Sequence, residues 1–465
     1  MLLSAETALP LPEAPVAPQP LPTPAETRAQ IIQLSWPAIV ELALQTLTQI
    51  VDMAMVGRLG AAAIASIGLS FQPLFLAMGL FMGLSVGTTA LVARHTGAKE
   101  PDRANHVTAQ STLLAVVMAL VFAVVATAYA PQLITFMGAQ PEVVSLGVGY
   151  MRYLIPGMSI MLVGMIISGA LRGAGDTRTP MKINAFCNIA NILLNYCLIF
   201  GHFGFPRMEV QGAALATSLS RALYVVVLIY LVIRPKSIIH LQLDNFRRVD
   251  FPVLMRTLRI GVPAALERLT MSLGLMAYVR IVAGMGTTVY AAHSLAINAE
   301  QISFMPGMGF ATAATALVGQ NLGAKRPDIA RRAGWETFRL GAILMGAMGI
   351  LFLTIPELFL RIYTNDPDII AHGATCLRIM GGMQIPMAAG FILPGALRGA
   401  GDTRSVLLLS MFSIWLVRLG LARLFVIDFG WGLPGAWYAM AADWLIRGTG
   451  SGLLFHLGRW ERIKV

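Results

Sequence analysis

Apolar segments of about 20 residues recur along the chain, and its polar residues gather in the connections between them. A helix needs about 20 apolar residues to cross a hydrocarbon core of about 30 Å. One such segment occupies residues 113–130 and reads LLAVVMALVFAVVATAYA. A transmembrane β-barrel shows short segments of alternating polarity instead. The pattern predicts an all-α membrane protein of twelve transmembrane helices, which start near residues 32, 66, 108, 146, 180, 210, 256, 290, 334, 370, 404 and 434.

The second half of the chain repeats the first at a shift of 226 residues. GALRGAGDTR occurs at 169–178 and returns at 395–404, and Glu41 recurs in the same register as Glu267. Because six helices bring the chain back to its starting side, we predict two parallel six-helix repeats related by an axis along the membrane normal. The predicted divisions are a disordered Pro-rich tail (1–29), a first lobe (30–233), a cytoplasmic linker (234–255), a second lobe (256–458) and a cytoplasmic tail (459–465).

Composition and charge placement agree with a membrane protein. The chain is 56% hydrophobic and only 12% charged, which excludes an ordinary soluble globule. Its net charge of +11 comes from Lys and Arg concentrated in alternate connections, so we assign it to the positive-inside pattern and predict no nucleic-acid binding. We expect no cleaved signal peptide, because the start of the chain lacks a basic and apolar leader. The prediction is a multi-pass inner-membrane protein with both termini cytoplasmic.

The doubled GALRGAGDTR stretch could be mistaken for a phosphate-binding loop. Such a loop needs a preceding strand, whereas this stretch follows an apolar helix. We interpret it as a cytoplasmic turn, in which Arg172 or Arg178 could pair with Asp176. The sequence shows no nucleotide lysine, metal-ligand spacing or nucleophile constellation, so we predict neither an enzyme nor a cofactor, and no bound metal.

Polar residues inside the apolar segments are candidates for function, because they are costly in lipid. Asp52 lies within the first predicted helix. It either caps the helix near the outer surface or binds and releases a cation. Asparagines in the fifth predicted helix are spaced by four, three and four residues, which places them on one face that must point into the bundle: Asn184, Asn188, Asn191 and Asn195. This amide stripe is either interhelical glue or part of a cation site.

Several motifs together resemble the multidrug and toxic compound extrusion (MATE) exporters. They are VDMAMVGRLG, TTALVARHTGAKEPDRA, the doubled GALRGAGDTR, NILLNYCLIFG, GAALAT and GVPAALERL, in this order over residues 30–458. The resemblance implies a V-shaped pair of lobes around a central cavity, and export of drug-like compounds driven by inward flow of H⁺ or Na⁺. It also implies that Asp52 is the coupling carboxylate and that Asn191, Asn195 and Thr217 belong to its cation pocket.

The repeat locates this site in the first lobe. At a shift of 226 residues Asp52 becomes Tyr278, and the four asparagines become Ser410, Ile414, Val417 and Leu421. Neither the carboxylate nor the amide stripe is kept, so we predict that the two lobes are functionally unequal. A bare metal cation needs about five or six oxygen ligands. Because the constellation shows only four side chains, we favour H⁺.

The second lobe carries charges of its own. Glu267 could pair with Arg268 or cap its helix, and Glu300, Arg418 and Asp443 are further candidates for a substrate or proton site. The arginines could hold amphipathic anions, unless Glu267, Glu300 or Asp443 neutralises them. Methionines such as Met78 and Met305 are either packing residues or an adaptable cavity wall.

The leading hypothesis is a cation-coupled antiporter that exports small organic compounds and acts as a monomer among membrane lipids. A second hypothesis is a lipid-linked oligosaccharide flippase of the same superfamily, whose diphosphate the second-lobe arginines would hold. Such flippases usually have fourteen helices, and twelve are counted here. A third class, a membrane receptor, predicts an attached signalling domain.

Overall fold

The computed structural model describes residues 22–59, 61–136 and 141–463, and within these ranges the chain is helical without β-strands. The helices are α1 (Pro24–Gly57), α2 (Ala61–Gly97), α3 (Pro101–Ala128), α4 (Ala130–Phe136), α5 (Pro141–Gly173), α6 (Arg178–Phe200), α7 (Glu209–Val232), α8 (Phe251–Ala283), α9 (Thr287–Gly323), α10 (Pro327–Thr354), α11 (Pro356–Arg361), α12 (Pro367–Gly381), α13 (Gln384–Gly399), α14 (Thr403–Met411), α15 (Leu419–Arg423) and α16 (Gly432–Leu457). Turns of π-helix at Phe412–Arg418 and Leu424–Asp428 join α14 and α15 into one long span.

Each of the twelve predicted segments corresponds to one helix or one interrupted helix. Within the described residues, nine helices are long and apolar enough to cross a membrane, or ten if the α12 and α13 pair, bent by 59°, counts as one span. α8 and α16 complete the twelve, and both carry buried charged residues. The short α4 and α11 lie between spans and are too short to cross.

Some helices begin earlier than the apolar segments indicate, because polar caps lie outside the hydrophobic core. α1 begins at Pro24, inside the predicted tail. The Thr23 hydroxyl accepts a hydrogen bond from the Glu26 backbone N–H (3.2 Å), and the Glu26 carboxylate accepts one from the Thr23 N–H (2.8 Å), which forms a capping box. Residues 1–21 of the predicted disordered tail lie outside the described residues.

The predicted linker is anchored to α3 and ends in the first turns of α8. Gln110 donates to the backbone carbonyls of Asn245 (3.1 Å) and Arg248 (2.8 Å), and its side-chain oxygen accepts from the Asp250 N–H (3.0 Å). Asp250 caps α8 by accepting from the Val253 N–H. This bond, followed by one from His106, holds the pKa of the Asp250 carboxyl below its usual value. The connection is therefore held in place by specific bonds.

Residues at the end of the chain are docked on the second lobe. The Trp460 side chain is fully buried and stacks on Phe455 with ring centroids 4.7 Å apart. Glu461 pairs with Arg331 of α10. The segment predicted as a cytoplasmic tail therefore packs against the bundle over residues 459–462.

The doubled GALRGAGDTR stretch is a turn in both lobes, as predicted. Gly175 and Gly401, at corresponding positions of the two copies, have φ angles of 95° and 89°. Residues other than glycine rarely adopt this conformation. The aspartate that follows caps the next helix: Asp176 accepts from the Thr179 N–H (2.9 Å) and Asp402 accepts from the Ser405 N–H (3.2 Å). The suggested pairing of Asp176 with Arg172 or Arg178 is not formed.

The arginine of each turn instead forms a partly buried ion pair inside its own lobe. Arg172 contacts Glu41 of α1 at 3.3 Å, and Arg398 contacts Glu267 of α8 at 2.6 Å. Glu41 also accepts from Asn184 (3.0 Å), and Glu267 accepts from Ser410, the repeat mate of Asn184 (3.2 Å). Buried carboxylates need such partners. The two turns therefore tie corresponding helices together in the two lobes, and Glu267 pairs with Arg398 rather than with Arg268.

We call the end of the bundle that contains these two turns the closed end, because the lobes meet there. Their contacts fall within 28–39 of α1, 79–97 of α2, 257–268 of α8 and 309–323 of α9, which are the halves of these helices nearest the closed end. The connections rich in Lys and Arg also lie at this end, because an even number of transmembrane helices separates each of them from the next. Toward the other end, the open end, the lobes diverge. The V-shaped, two-lobed architecture is confirmed.

Reciprocal contacts seal the closed end. Arg94 of α2 donates to the carbonyl of Ala400 (3.1 Å), and its repeat mate Gln320 of α9 donates to the carbonyl of Gly173 (2.8 Å). Each side chain thus caps the turn of the opposite lobe. Gly97 and Gly323 also pack closely across this boundary. A β-carbon added at Gly97 would lie 1.8 Å from the Gln320 backbone oxygen, and one added at Gly323 would lie 1.9 Å from the Arg94 backbone oxygen. We call the contacts of Arg94, Gly97, Gln320 and Gly323 the inter-lobe latch.

Candidate functional site

Asp52 lies in the last two turns of α1, in the half that points to the open end. Its side chain is half-buried, and Asn195 of α6 donates to its Oδ1 at 2.6 Å. The proposed cap at the helix end is not formed, because Asp52 bonds to a side chain of α6 and Arg58 is the C-terminal cap of α1.

The amide stripe of α6 points into the first lobe, as its spacing predicts. All four asparagines are at least 96% buried. Asn195 bridges Asp52 and the Asn191 oxygen (3.3 Å), and Asn191 in turn donates to Ser220 of α7 (3.2 Å). Ser220 donates to the backbone carbonyl of Thr217 (2.9 Å). A continuous chain of hydrogen bonds therefore links α1, α6 and α7.

Other members of the predicted pocket take different roles. Asn184 belongs to the Glu41 ion pair near the closed end. Asn188 lies on α6 between Asn184 and Asn191. Its amide nitrogen has no hydrogen-bond partner among the described residues. Thr217 joins the chain through its carbonyl. The Thr217 hydroxyl was predicted as an oxygen ligand of the cation. In this network the Ser220 hydroxyl takes its place, and the sequence did not predict Ser220.

Arg221 is a further residue that the sequence analysis missed. This arginine of α7 interacts electrostatically with Asp52 and with Glu41. No carboxylate of the described residues lies within ion-pair distance of it, so its charge is shared between the two carboxylates rather than fixed to one. Its repeat mate, Arg447, is the signal that could have identified it, because a basic residue recurs at this position in a transmembrane helix of each lobe.

In the second lobe, Asp443 lies between two arginines. Arg418 contacts its Oδ2 at 2.6 Å and Arg447 contacts its Oδ1 at 3.0 Å, while the Ser413 hydroxyl also donates to it. All four side chains are at least 90% buried. Asp443 therefore neutralises one of the two guanidinium charges. The sequence had left open whether any carboxylate of the second lobe does so. Asp443 is also the repeat mate of Thr217, so the two lobes carry different charges at corresponding positions.

The remaining candidates fall in different surroundings. Arg268 is exposed, and its side chain lies against Gly79 of α2, at the boundary between the lobes. Glu300 is fully buried in α9. Met78 is half-buried against the core of the first lobe, and Met305 is likewise half-buried in α9. The site residues thus form two centres, one around Asp52 and one around Asp443, with Arg268 between the lobes.

Groups of three or more His, Cys, Asp or Glu side chains that could hold a metal ion are absent from the described part of the chain. Asn195 donates an amide N–H to Asp52, and the Arg221 guanidinium acts on Asp52 electrostatically. This arrangement suits a carboxylate that alternates between its free and protonated forms.

Comparison with known proteins agrees with the architecture. The MatE family model matches the chain twice, over residues 37–197 and 263–424. The protein belongs to the MATE family. The two matches fall on corresponding parts of the two repeats, so the duplication predicted from the sequence is the duplication of the family itself.

Relatives of this MATE protein are known along nearly its whole length. It is 33% identical to a probable multidrug resistance protein NorM of Thermotoga maritima, over 95% of this chain and 94% of the relative. It is 29% identical to a probable multidrug resistance protein NorM of Brucella suis, over 93% of this chain and 92% of the relative. A further relative is the uncharacterized transporter YisQ of Bacillus subtilis, at 26% identity over 92% and 94%.

Solved structures share the fold. A MATE in complex with MaD3S superimposes with a TM-score of 0.85 at 25% identity, over 93% of this chain and 95% of the other. An outward-facing multidrug resistance MATE transporter of the MOP superfamily gives a TM-score of 0.87 at 24% identity, over 94% and 96%. The protein is therefore a multi-pass membrane transporter with the twelve-helix, two-lobed MATE fold.

Proposed function

We propose that this MATE transporter is an antiporter that exports drug-like organic compounds in exchange for inward movement of H⁺ at Asp52. The observation that carries the proposal is the Asp52 site, where a carboxylate in a transmembrane helix is held by an amide of α6 and faced by the shared charge of Arg221. Ionisable groups at such positions are costly and mark ion pathways. The names of the relatives, multidrug resistance proteins, support organic compounds as substrates.

The unequal ends of the bundle support alternating access as the transport mode. The latch seals the closed end, while the lobes diverge toward the open end. A proton taken up by Asp52 removes the negative charge that Asn195 and Arg221 stabilise, so the contacts between α1, α6 and α7 change. We infer that this repacking of α1 releases the exported compound at the open end, and that return of the proton to the cytoplasm resets the site.

The choice of H⁺ over Na⁺ rests on the groups around Asp52. A hard metal cation needs about five or six converging oxygen atoms. Here Asn195 presents an amide N–H to the carboxylate, and the positive charge of Arg221 acts on the carboxylate electrostatically, which disfavours a metal cation. The decisive experiment measures ethidium or norfloxacin transport in vesicles with Na⁺ and pH gradients imposed separately. Transport that follows the Na⁺ gradient at constant pH would reverse this choice.

A second candidate function gains no support from the described residues. The second-lobe arginines suggested a diphosphate site, but Arg418 and Arg447 are buried and both contact Asp443. A bulky lipid-linked headgroup could not reach them in this conformation.

We predict that the closed end faces the cytoplasm, because the Lys and Arg of the alternate connections lie there. Lys99 and Lys325 are exposed repeat mates at this end. In a background without Cys187, Cys197 and Cys376, Lys99→Cys and Lys325→Cys should react with a membrane-impermeant thiol reagent in inverted vesicles but not in intact cells. Cysteines at Ala174 and Ala400 would be poor reporters, because those positions are buried. Labelling of both sites in intact cells would contradict the topology.

We predict that the two lobes respond differently to changes at corresponding positions. Asn195→Ala removes the donor to Asp52, and loss of a bond to a charged group costs about 1.5 to 3 kcal/mol, so efflux should fall roughly tenfold to hundredfold. The matched variant is Leu421→Asn, at the repeat mate of Asn195. It should not create a second coupling site, because α8 carries Tyr278 in place of Asp52. Normal efflux by Asn195→Ala, at normal expression, would reduce the amide stripe to packing.

A further inference from the structure

Arg268 is a charged residue at the boundary between the lobes, and the Asp52 mechanism does not use it. Its side chain is exposed, and a β-carbon added at Gly79 of α2 would lie 3.6 Å from its Cγ atom. This contact lies at the end of the close packing between α2 and α8 that is nearest the open end, where the lobes begin to diverge. We call the space between the diverging lobes the cleft. Arg268 therefore lies at the base of the cleft.

The position of Arg268 on α8 directs it toward the cleft and not toward lipid. One face of α8 is buried in the second lobe and is formed by Ile260, Ala264, Glu267, Gly274 and Tyr278. A second face packs on α2 and is formed by Thr257, Gly261 and Ala265. The remaining side carries exposed apolar residues, which are Val262, Leu266, Leu273 and Met276. With 3.6 residues per turn, Arg268 falls on the face toward α2, on the side nearest its own lobe. It therefore points into the space that the two lobes enclose.

The positive charge of Arg268 is not neutralised in the described part of the chain, where its side chain forms neither an ion pair nor a hydrogen bond. The charges that act on it are those of Glu267 and Arg398, which form an ion pair with each other at 2.6 Å. Across the boundary, α2 contains no Asp or Glu. Asp52 of α1 is bonded within the first lobe, and Glu300 of α9 is fully buried in the second. The guanidinium is therefore available to a bound compound.

The wall of the cleft near Arg268 is otherwise apolar or uncharged. Leu275 lies seven residues further along the same face of α8, and its side chain is exposed. At the corresponding positions of α1, the chain carries Leu42 and Gln49 in place of Arg268 and Leu275. The charge is therefore on one wall of the cleft only, beside apolar surface. This arrangement fits a compound that carries one anionic group on an apolar body.

We propose that Arg268 is a substrate-binding residue, which binds the carboxylate of amphipathic compounds that enter the cleft. The proposal rests on the proposed export of organic compounds, since it names the class of compound that the cleft prefers. A guanidinium is planar and can donate two parallel hydrogen bonds to a carboxylate, which an ammonium group cannot do in the same geometry. Compounds without a carboxylate, such as ethidium, contact the apolar wall alone and bind more weakly.

A matched pair of dyes tests this residue, because rhodamine 123 is the methyl ester of the carboxylic acid rhodamine 110. The measurement is equilibrium binding of each dye, by fluorescence polarisation, to the purified full-length protein in phosphatidylcholine nanodiscs. We expect the wild type to bind the acid more tightly than the ester. Arg268→Gln removes the charged donors, so it should weaken binding of the acid roughly tenfold to hundredfold and should not weaken binding of the ester. Arg268→Lys keeps the charge without the paired geometry and should be intermediate.

Arg280→Gln is the matched control, since it removes the same charge from an exposed position further along α8 toward the open end. It should leave the binding of both dyes unchanged. Equal binding of the two dyes to the wild type, or equal weakening of both by Arg268→Gln, would contradict the proposal. Loss of acid binding when phosphatidylglycerol is added to the nanodiscs would assign Arg268 to a lipid headgroup instead. Failure of the antiport proposal is distinguishable, because the dyes bind here without any ion gradient.

Discussion

Asp52→Asn is expected to abolish gradient-driven efflux while the protein still folds and binds its substrate with the weaker, pH-independent affinity of the protonated state. Asparagine resembles the protonated carboxyl in shape and charge, so the variant is held in one state of the exchange and cannot bind or release a proton. At a pH gradient of one unit, where even one coupled proton supports about a tenfold substrate gradient, the variant should support no gradient. The measurement is steady-state accumulation of ethidium in inverted vesicles, together with equilibrium binding of the same compound to purified protein.

A matched control separates loss of coupling from loss of a negative charge. Asp244→Asn makes the same change in the linker, at an exposed carboxylate paired with Arg247, and should leave efflux unchanged. Asp52→Glu keeps an ionisable group but moves it by one methylene, so partial coupling is expected. Efflux at the wild-type rate and gradient in Asp52→Asn would remove Asp52 from the mechanism. Loss of binding as well as transport would indicate that Asp52 contacts the substrate directly.

The environment of Asp52 also explains why this change should matter more than changes at the other carboxylates. Glu41 and Glu267 each form a tight pair with an arginine of the turn motif, so their charges are fixed. Asp52 has only the amide of Asn195 at bonding distance among the described residues, and Arg221 is shared with Glu41. Its negative charge is therefore less firmly compensated than that of the membrane-embedded Glu41, which suits a group that must gain and lose a proton in each cycle.

The sequence predicted features that depend on local pattern. The twelve spans, the duplication and the inward-facing asparagines follow from apolar length, register and helical spacing, and the structure confirms them. Helix starts were placed too late where polar caps extend the helix beyond its apolar part, as at Thr23 and Asp250. A hydropathy pattern cannot detect these turns, because their residues lie outside the hydrocarbon core.

Contacts between distant residues were the part that could not be predicted. The partner of Arg172 is Glu41, 131 positions away, and not the neighbouring Asp176. Arg221 and Ser220 join the Asp52 site from α7, and the local sequence does not show that this part of α7 packs beside α1 and α6. The absence of a partner for Glu300 is likewise a property of packing in three dimensions. Repeat mates provide a partial remedy, since Arg447 marks the position of Arg221.

The latch at the closed end leads to a prediction about conformation. Gly97→Ala is expected to shift the transporter toward the state in which this end is open. The added β-carbon would lie 1.8 Å from the Gln320 backbone oxygen of the opposite lobe, and a carbonyl within a helix cannot move away alone. Overpacking of this kind typically costs about 1 to 3 kcal/mol. The ratio of the two conformations should therefore change by roughly fivefold to more than a hundredfold, since every 1.4 kcal/mol is tenfold.

Spin labels at Asp102 and Asp328 report this change, because both positions are exposed and lie at the closed end of different lobes. In a cysteine-free background, pulsed electron paramagnetic resonance should detect a new population of longer distances in Gly97→Ala. Gly323→Ala should act in the same direction, since its β-carbon would meet the Arg94 oxygen at 1.9 Å. Efflux should fall in both variants, because one of the two states of the cycle becomes costly.

Gly68→Ala is the matched control, since it makes the same substitution in the same helix where, among the described residues, no atom from beyond the adjacent helix backbone lies within 4 Å of the added β-carbon. It should leave the distance distribution unchanged and transport near the wild-type level. If Gly97→Ala and Gly323→Ala also leave the distances unchanged, the close approach of α2 and α9 does not limit opening. The repeated GALRGAGDTR turns would then act only within their own lobes, through the ion pairs of Arg172 and Arg398. A longer distance in both variants would show that each turn also serves as the docking point for the opposite lobe, which accounts for the presence of the same motif in both halves of the chain.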